Sequence, residues 1–426
     1  MQRFLRRIGQ LATACAVATL LASAPAAANP FDTFGYTSRA IAMGGGFTGA
    51  ASSYEAAYYN PAGLARLSSP ELGLGVLLWR PVLEVNGAVS PANRTRALID
   101  AGLGTPIPLG RGLGNVLFLG VNLAFPGSTL YAIRESPPAE PRFPFLEDRN
   151  RRLVFNFAMA VRINRMFSLG AGLSLLPDVM GDVKVDLTES GAENSTSVDV
   201  RMHLSPNAGV LIEPIEGLAF GLVWRGANRT YLSIPVGVKA GEQLNDIDIR
   251  VLAFDYSTPH QIALGGAYRR ARFEVAADLT YSLYRYFEQS SPTVHRYGAD
   301  GEIVRTSAVG SRGLRDTWAV RLGGEYRVLE PWTVRAGFGW IQSPVPAQTG
   351  ETNLLDGDRF TVSFGSGFDL AAIDGPPIRV DAHFAWTGMA ANTDAKAAIM
   401  PENPGYPTIR GSGSVFSGGV TAKVRF

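Results

Sequence analysis

The chain has 426 residues, a net charge of +2 and one cysteine, so neither a disulfide framework nor a thiolate metal centre is open to it, and there is no basic excess to attract nucleic acid. Its 48 glycines and 10% aromatics are spread over many short alternating runs with almost no helix-period segment. That pattern excludes a string of soluble helical domains and favours a single all-β unit.

In chain order, Arg3, Arg6 and Arg7 precede an apolar run over 11–21 and the small stretch Ala26-Ala27-Ala28. This layout predicts a secretory signal peptide over 1–28, cut after Ala28. The run is too short to span a ~30 Å hydrocarbon core. No other stretch approaches ~20 apolar residues, so membrane helices are not expected. Cys15 lacks the small-residue context of a lipid anchor and falls inside the predicted signal, which leaves the mature chain without cysteine. Losing three arginines brings the 39 basic residues just below the 37 acidic ones.

Residues 29–69 form a compact prelude. Ser52 and Glu55 have capping-box spacing and predict a short helix through YEAAYY. Asn60 stands before proline, which ends that helix. It can then cap a second turn with Pro61 at the first position, where the missing N–H costs nothing. Upstream, MGGGFTGAASS supplies small residues that let backbones approach closely.

The first strand is expected near Glu71. From there, period-two alternation recurs. Over 273–283, Phe273, Val275, Ala277, Leu279 and Tyr281 share one face, while Glu274, Asp278, Thr280 and Ser282 share the other. The stretches 318–326, 332–340 and 378–386 behave likewise, with Trp332 and Trp340 at the two ends of an apolar face. Such strands fit a membrane barrel with apolar side chains toward lipid and polar ones toward the lumen. The parity predicts inward charges at Arg162, Asp278, Arg321, Glu325, Arg335, Arg379, Asp381 and Lys423. The last strand, VTAKVRF, runs to Phe426, an outer-membrane signal for the barrel-assembly machinery.

Connections alternate in length. Short turns fall at 110–115, 164–166, 213–217, 269–272, 328–331 and 372–377. Long connections fall near 86–95, 134–150, 188–198, 239–248, 288–312, 347–357 and 389–412. Short turns on one side and long loops on the other are the periplasmic and extracellular ends of a transmembrane antiparallel β-barrel of about 14 strands. Eight strands already leave a lumen just filled by side chains, so a barrel this wide needs a plug. Residues 29–69 are available for it, with 70–426 forming the barrel.

The stretch SRAIAMGGGFTGAASSYEAAYYNPAGLARL at 38–67 resembles the N-terminal hatch of the FadL/TodX (OmpP1) family of outer-membrane transporters. TPHQIALGGAYR at 258–269, the stretch 316–346 and DGDRFTVSFGSGFDL at 356–370 are similar to its later strands in wording and order. The resemblance implies a fourteen-stranded barrel with an N-terminal hatch inside the lumen, and uptake of long-chain fatty acids or other hydrophobic small molecules. Asn60, Pro61, Ala62 and Gly63 fall on the family's hatch motif. The family opens laterally at a kink in its third strand, which points to Pro126 and Gly127 in LAFPGST, because proline cannot donate to a ladder and glycine weakens one. The implied substrate pocket draws on Phe31, Phe34 and Tyr36, with Arg321 and Arg335 as partners for a carboxylate. Fatty-acid members carry long helical outer loops; the loops near 188–198 and 239–248 read as too short for them.

No HExxH, P-loop or metal-ligand cluster occurs, and the four histidines are scattered, so neither catalysis nor a cofactor is expected. The expected partners are a hydrophobic solute, outer-membrane lipid and lipopolysaccharide, and the assembly machinery, with the chain a monomer. The alternative reading is the barrel component of a surface assembly or secretion system that binds a protein partner.

Overall fold

A computed structural model describes residues 35–108, 115–127, 139–146, 153–188, 191–239, 247–286, 293–297, 303–308, 313–397 and 402–426. The predicted signal peptide, Phe31 and Phe34 lie outside the described residues.

Fourteen antiparallel strands close into a barrel. They are β1 (Glu71–Val85), β2 (Arg96–Pro108), β3 (Asn115–Pro126), β4 (Val154–Arg162), β5 (Phe167–Thr188), β6 (Gly191–Ile215) and β7 (Leu218–Arg225), followed by β8 (Gln261–Arg270), β9 (Phe273–Ser282), β10 (Thr317–Arg327), β11 (Trp332–Ile341), β12 (Arg359–Asp369), β13 (Ile378–Ala395) and β14 (Thr408–Arg425). The first strand pairs with the last from Glu71↔Arg425 upward, so the barrel sheet has no free edge.

The alternation resolves inside out. On β9, Phe273, Val275 and Leu279 are exposed while Glu274, Asp278, Thr280 and Ser282 are buried. On β1, Leu72, Leu74, Val76 and Leu78 face out, and Gly73, Gly75, Leu77 and Trp79 face in. An exposed apolar belt of this extent needs a lipid solvent. Trp224, Trp318, Trp386 and Phe416 mark its long-loop edge, and Phe273, Tyr326, Trp332 and Phe368 mark its short-turn edge. No described helix is long and apolar enough to cross a membrane.

Two long connections are not the short loops expected. β5 and β6 run 22 and 25 residues and pair as far as Thr188↔Gly191, so the segment near 188–198 belongs to an extended hairpin. Between β7 and β8, Asn228–Lys239 and Ile247–Thr258 form a second hairpin, whose first strand pairs in parallel with the outer part of β5 at Val183↔Val236. A third, Thr293–Tyr297 with Ile303–Ala308, joins that outer sheet. β7 still pairs directly with β8, and β9 with β10, so these hairpins stand outside the barrel ladder. At the same end, residues 139–146 pack Phe143 and Leu146 against Leu355 and Ile409. Lys396 Nζ donates to the carbonyls of Gln348, Gly350 and Thr352, which fixes the neighbouring loop.

The lumen is occupied by the segment before β1. It comprises α1 (Ser38–Ala42), α2 (Ala56–Tyr59) and a 3₁₀ turn over Pro61–Arg66. The capping box does not form: α2 starts after Glu55 without a side-chain cap. Ser52 Oγ accepts from Arg39 Nη1 at 3.3 Å, so the hydroxyl that would have capped the helix braces an arginine.

Room for this segment comes from glycines on the inner wall, a role that the sequence reading did not assign them. A Cβ on Gly337 would lie 2.0 Å from Gly44 N; on Gly170, 2.3 Å from Ala62 N; on Gly209, 2.2 Å from Asn60 Oδ1. Gly73 and Gly102 lie beneath the Tyr54 ring. Charge supplies the other fixing. Arg39 lies 3.2 Å from Glu274, 3.1 Å from Glu325 and 3.8 Å from Glu55. Burying three carboxylates around one guanidinium is tolerable because each is paired, and Glu325 is shared with Arg335 at 2.7 Å.

Candidate functional site

The sharpest feature of the interior is the corner at Asn60. Its Oδ1 accepts from Ala62 N at 3.1 Å, capping the turn that Pro61 begins. Its Nδ2 donates to Thr48 O at 2.9 Å and to Val210 O of β6 at 3.2 Å. One fully buried amide therefore ties two parts of the segment to each other and to the wall. Ala62 and Gly63 follow it, buried; a Cβ on Gly63 would meet Ala51 O at 2.7 Å.

Beside this corner lies a cavity of about 60 Å³. The segment contributes Tyr58, Tyr59 and Thr48, and the wall contributes Arg225, Arg321 and Gln261. Arg225 ends β7 on its inward parity. Its Nη2 donates to Tyr59 O at 2.9 Å, its Nε to Tyr58 O at 3.3 Å and its Nη1 to Gln261 Oε1 at 3.3 Å, and the guanidinium sits 5.0 Å over the Tyr58 ring. No carboxylate lies within ion-pair distance of it among the described residues. Arg321 Nη1 donates to Thr280 Oγ1 at 3.2 Å. Asp278 Oδ2 accepts from Phe47 N and Thr48 N, both at 2.8 Å, holding the segment at the cavity's edge. Burial pushes the Tyr59 hydroxyl above its ordinary pKa, so it stays a neutral donor, to Tyr36 O at 3.2 Å.

The expected pocket is only partly assembled. Arg321 lines the cavity. Arg335 does not: its fully buried guanidinium pairs with Glu325 at 2.7 Å and Asp381 at 2.9 Å. Tyr36 packs edge-on to Tyr54 and donates its hydroxyl to Ala101 O at 2.7 Å. Arg225 was not foreseen, although the alternation in LAFGLVWR places it inward. Of the other predicted inward charges, Arg162 is exposed at the short-turn mouth, where its guanidinium lies 5.0 Å over the Phe118 ring.

Pro126 closes β3 at its long-loop end. On the β2 side the ladder runs on to Leu98↔Pro126, and Gly127 N donates to Ala97 O at 2.8 Å. On the β4 side it stops at Ala124↔Val154. Among the described residues the ladder therefore reaches Pro126 on the β2 side only, next to the rim. At the other end of the chain, Phe426 N donates to Pro70 O at 3.0 Å.

Comparison with known proteins places this geometry. A family model described as "Outer membrane protein transport protein (OMPP1/FadL/TodX)" matches residues 16–426. Alkane uptake protein A of Marinobacter nauticus is 22% identical over 399 residues, covering 86% of this chain and 85% of that protein. The long-chain fatty acid transport protein of Escherichia coli K12 is 25% identical over 209 residues, 42% of each chain. Among solved structures, a Pseudomonas aeruginosa FadL homologue superposes with a TM-score of 0.62 at 16% identity, covering 95% of this chain and 100% of the other. The Ralstonia pickettii toluene transporter TbuX gives 0.57 at 15% identity, covering 93% and 100%; both show the same fold. Matched over nearly its whole length, the chain belongs to the OMPP1/FadL/TodX family of outer-membrane transport proteins, whose members are channels rather than enzymes.

Proposed function

We propose that the protein takes up long-chain fatty acids or other hydrophobic small molecules across the outer membrane, and that residues 29–69 act as its hatch. The observation that carries this reading is the cavity at the Asn60 corner, where Arg225 and Arg321 meet aromatic side chains of the segment. Guanidiniums there suit a carboxylate. An apolar solute gains nothing from a water-filled pore, since apolar surface in water costs ~25 cal/mol per Å². A route through protein pockets avoids that cost.

A cavity of 60 Å³ holds a few waters, whereas small-molecule sites typically measure ~300–1,000 Å³. The described arrangement is therefore a closed state, and entry requires the corner to shift. We place the sideways exit at Pro126-Gly127, beyond the last described β3–β4 pair, Ala124↔Val154. The reading takes the chain as a monomer, embedded among lipid and lipopolysaccharide, with Phe426 read by the assembly machinery.

Uptake of labelled oleate and toluene by cells with the gene, without it, and with Asn60→Ala/Pro61→Ala tests the proposal. Uptake that depends on the gene and drops in the variant supports it. Equal uptake in all three, with a stoichiometric protein partner on purification, would favour an assembly role instead.

A further inference from the structure

The connection between β3 and β4 leaves the wall after Pro126 and returns at Val154, but its middle, residues 139–146, is tied elsewhere. Arg142 forms a parallel bridge with Leu354 of the β11–β12 connection. Arg142 N donates to Asn353 O at 3.1 Å and Leu355 N to Arg142 O at 2.8 Å. Asn353 Nδ2 donates to Ala139 O at 2.6 Å. On a ring of fourteen strands the β3–β4 end stands almost opposite β11–β12, so this segment reaches across the mouth at the long-loop end. Its side chains enter that mouth. A Cβ on Gly411, an inward position of β14, would lie 3.2 Å from the Phe143 ring. Phe145 meets Tyr284, just beyond β9, edge-on at 5.9 Å, with Leu314, Val345 and Leu354 in the same buried cluster.

Phe145 also connects the segment to the cavity at the Asn60 corner. The Arg359 guanidinium lies 4.9 Å over its ring. Arg359 opens β12 on the inward face and pairs in register with Ile341. Ile341 and Thr361, the next inward residue of β12, both line that cavity. Phe145 on Arg359 therefore covers the cavity from its outer side. The hold is light: two main-chain bonds and one amide at one end, ring contacts at the other. Arg359 Nε and Nη1 are buried and donate to nothing among the described residues, and its nearest carboxylate, Asp356, is 3.9 Å from Nη1. Buried donors left open are costly, so lifting the segment regains their hydration and offsets part of the lost contact. We propose that residues 139–146 are a strap that shuts the outer mouth above the cavity and swings aside to admit solute, with Phe145 against Arg359 as its latch. The inference rests on the uptake reading and adds a second closure, in series with the N-terminal segment.

The test locks the strap. The one native cysteine, Cys15, lies in the predicted signal peptide. Arg142→Cys/Leu354→Cys sets two thiols across the bridge, within disulfide reach. Cells carrying this pair are oxidised with diamide and then reduced. Each state is given labelled oleate and toluene, with both single-cysteine variants as controls and unreduced gels to follow the bond. Uptake of both solutes should fall to that of cells without the gene once the bond forms, and return on reduction. A second readout needs no bond. Leu354→Cys is a buried position beneath the strap, and an impermeant maleimide should label it about threefold faster when Phe145→Ala is added, the open population gained by losing one ring–guanidinium contact.

Uptake that ignores the formed bond would overturn the inference while leaving the uptake reading intact. A lock that stops oleate alone would also overturn it, since a gate on a shared route stops both solutes. Failure of the pair to oxidise, or labelling indifferent to Phe145→Ala, would show that the strap is not held as described, and would sink it too. Absence of gene-dependent uptake in every state overturns the uptake reading, and the labelling then judges the strap by itself.

Discussion

At the scale of single residues, Arg225 and Arg335 show how partners decide what an inward arginine does. Both follow from strand parity. Arg335 is neutralised by Glu325 directly across the β10–β11 pair, and reaches Asp381 by passing over Gly367, where a Cβ would lie 2.7 Å from its Nη2. No single-strand pattern reveals that bare spot on the next strand, or the carboxylate beyond it, so the sequence reading ranked Arg335 with Arg321. Arg225 instead meets backbone carbonyls and an amide, partners that a carboxylate ligand can displace. Replacing it by Gln should lower oleate uptake about tenfold, the loss of one charge-assisted contact, while leaving toluene uptake within about twofold. Equal losses for both solutes would assign Arg225 to holding the segment rather than to recognising charge. The cap at Asn60 was legible because that partner is local: an Asn before a proline caps the following turn wherever the chain goes, whereas its bond to Val210 on the wall could not be read.

At the scale of elements, strand parity and turn length sufficed to place most barrel strands, because one face of each must meet lipid. The outer hairpins were not legible. Around 189–198 the sequence is Glu, Ser, Gly, Ala, Asn and Thr up to Val198, without apolar alternation, so it reads as loop, yet the backbone ladder of β5 and β6 runs through 191–198. Main-chain hydrogen bonds need no buried face. The wall glycines went unassigned for a related reason, since their use here is to leave room in the lumen. Gly323 and Gly324 are neighbours on β10 with opposite duties. A Cβ on Gly323 would lie 2.4 Å from Met43 O, whereas one on Gly324 would meet nothing within 4 Å. Gly323→Val should therefore displace the N-terminal segment and open ion conductance in planar bilayers, and Gly324→Val should leave the pore shut. Silence from both would mean that the segment gives way without unblocking the lumen.

At the scale of the whole molecule, the governing fact is that the charged faces turn inward and the oily faces outward. That inversion explains why charged side chains such as Glu274, Arg335 and Asp381 can be buried without ruin: the inner charges find one another and the segment, as Arg39 does with three carboxylates. It also sets a directional test. Leu322 lies midway along the outward row of β10 between Trp318 and Tyr326 and is 47% exposed. In a soluble β-sandwich, arginine at a half-exposed position would change stability by ~0.5 kcal/mol or less. Facing the bilayer midplane, it should cost about 2–4 kcal/mol. Equilibrium unfolding of Leu322→Arg from phosphatidylcholine vesicles measures the difference. Thr280→Arg, on the buried polar face of β9, is the companion: it crowds the lumen beside Arg321 but places no charge in lipid, so its penalty should not depend on bilayer thickness, while that of Leu322→Arg should shrink as the bilayer thins and the guanidinium reaches the headgroups.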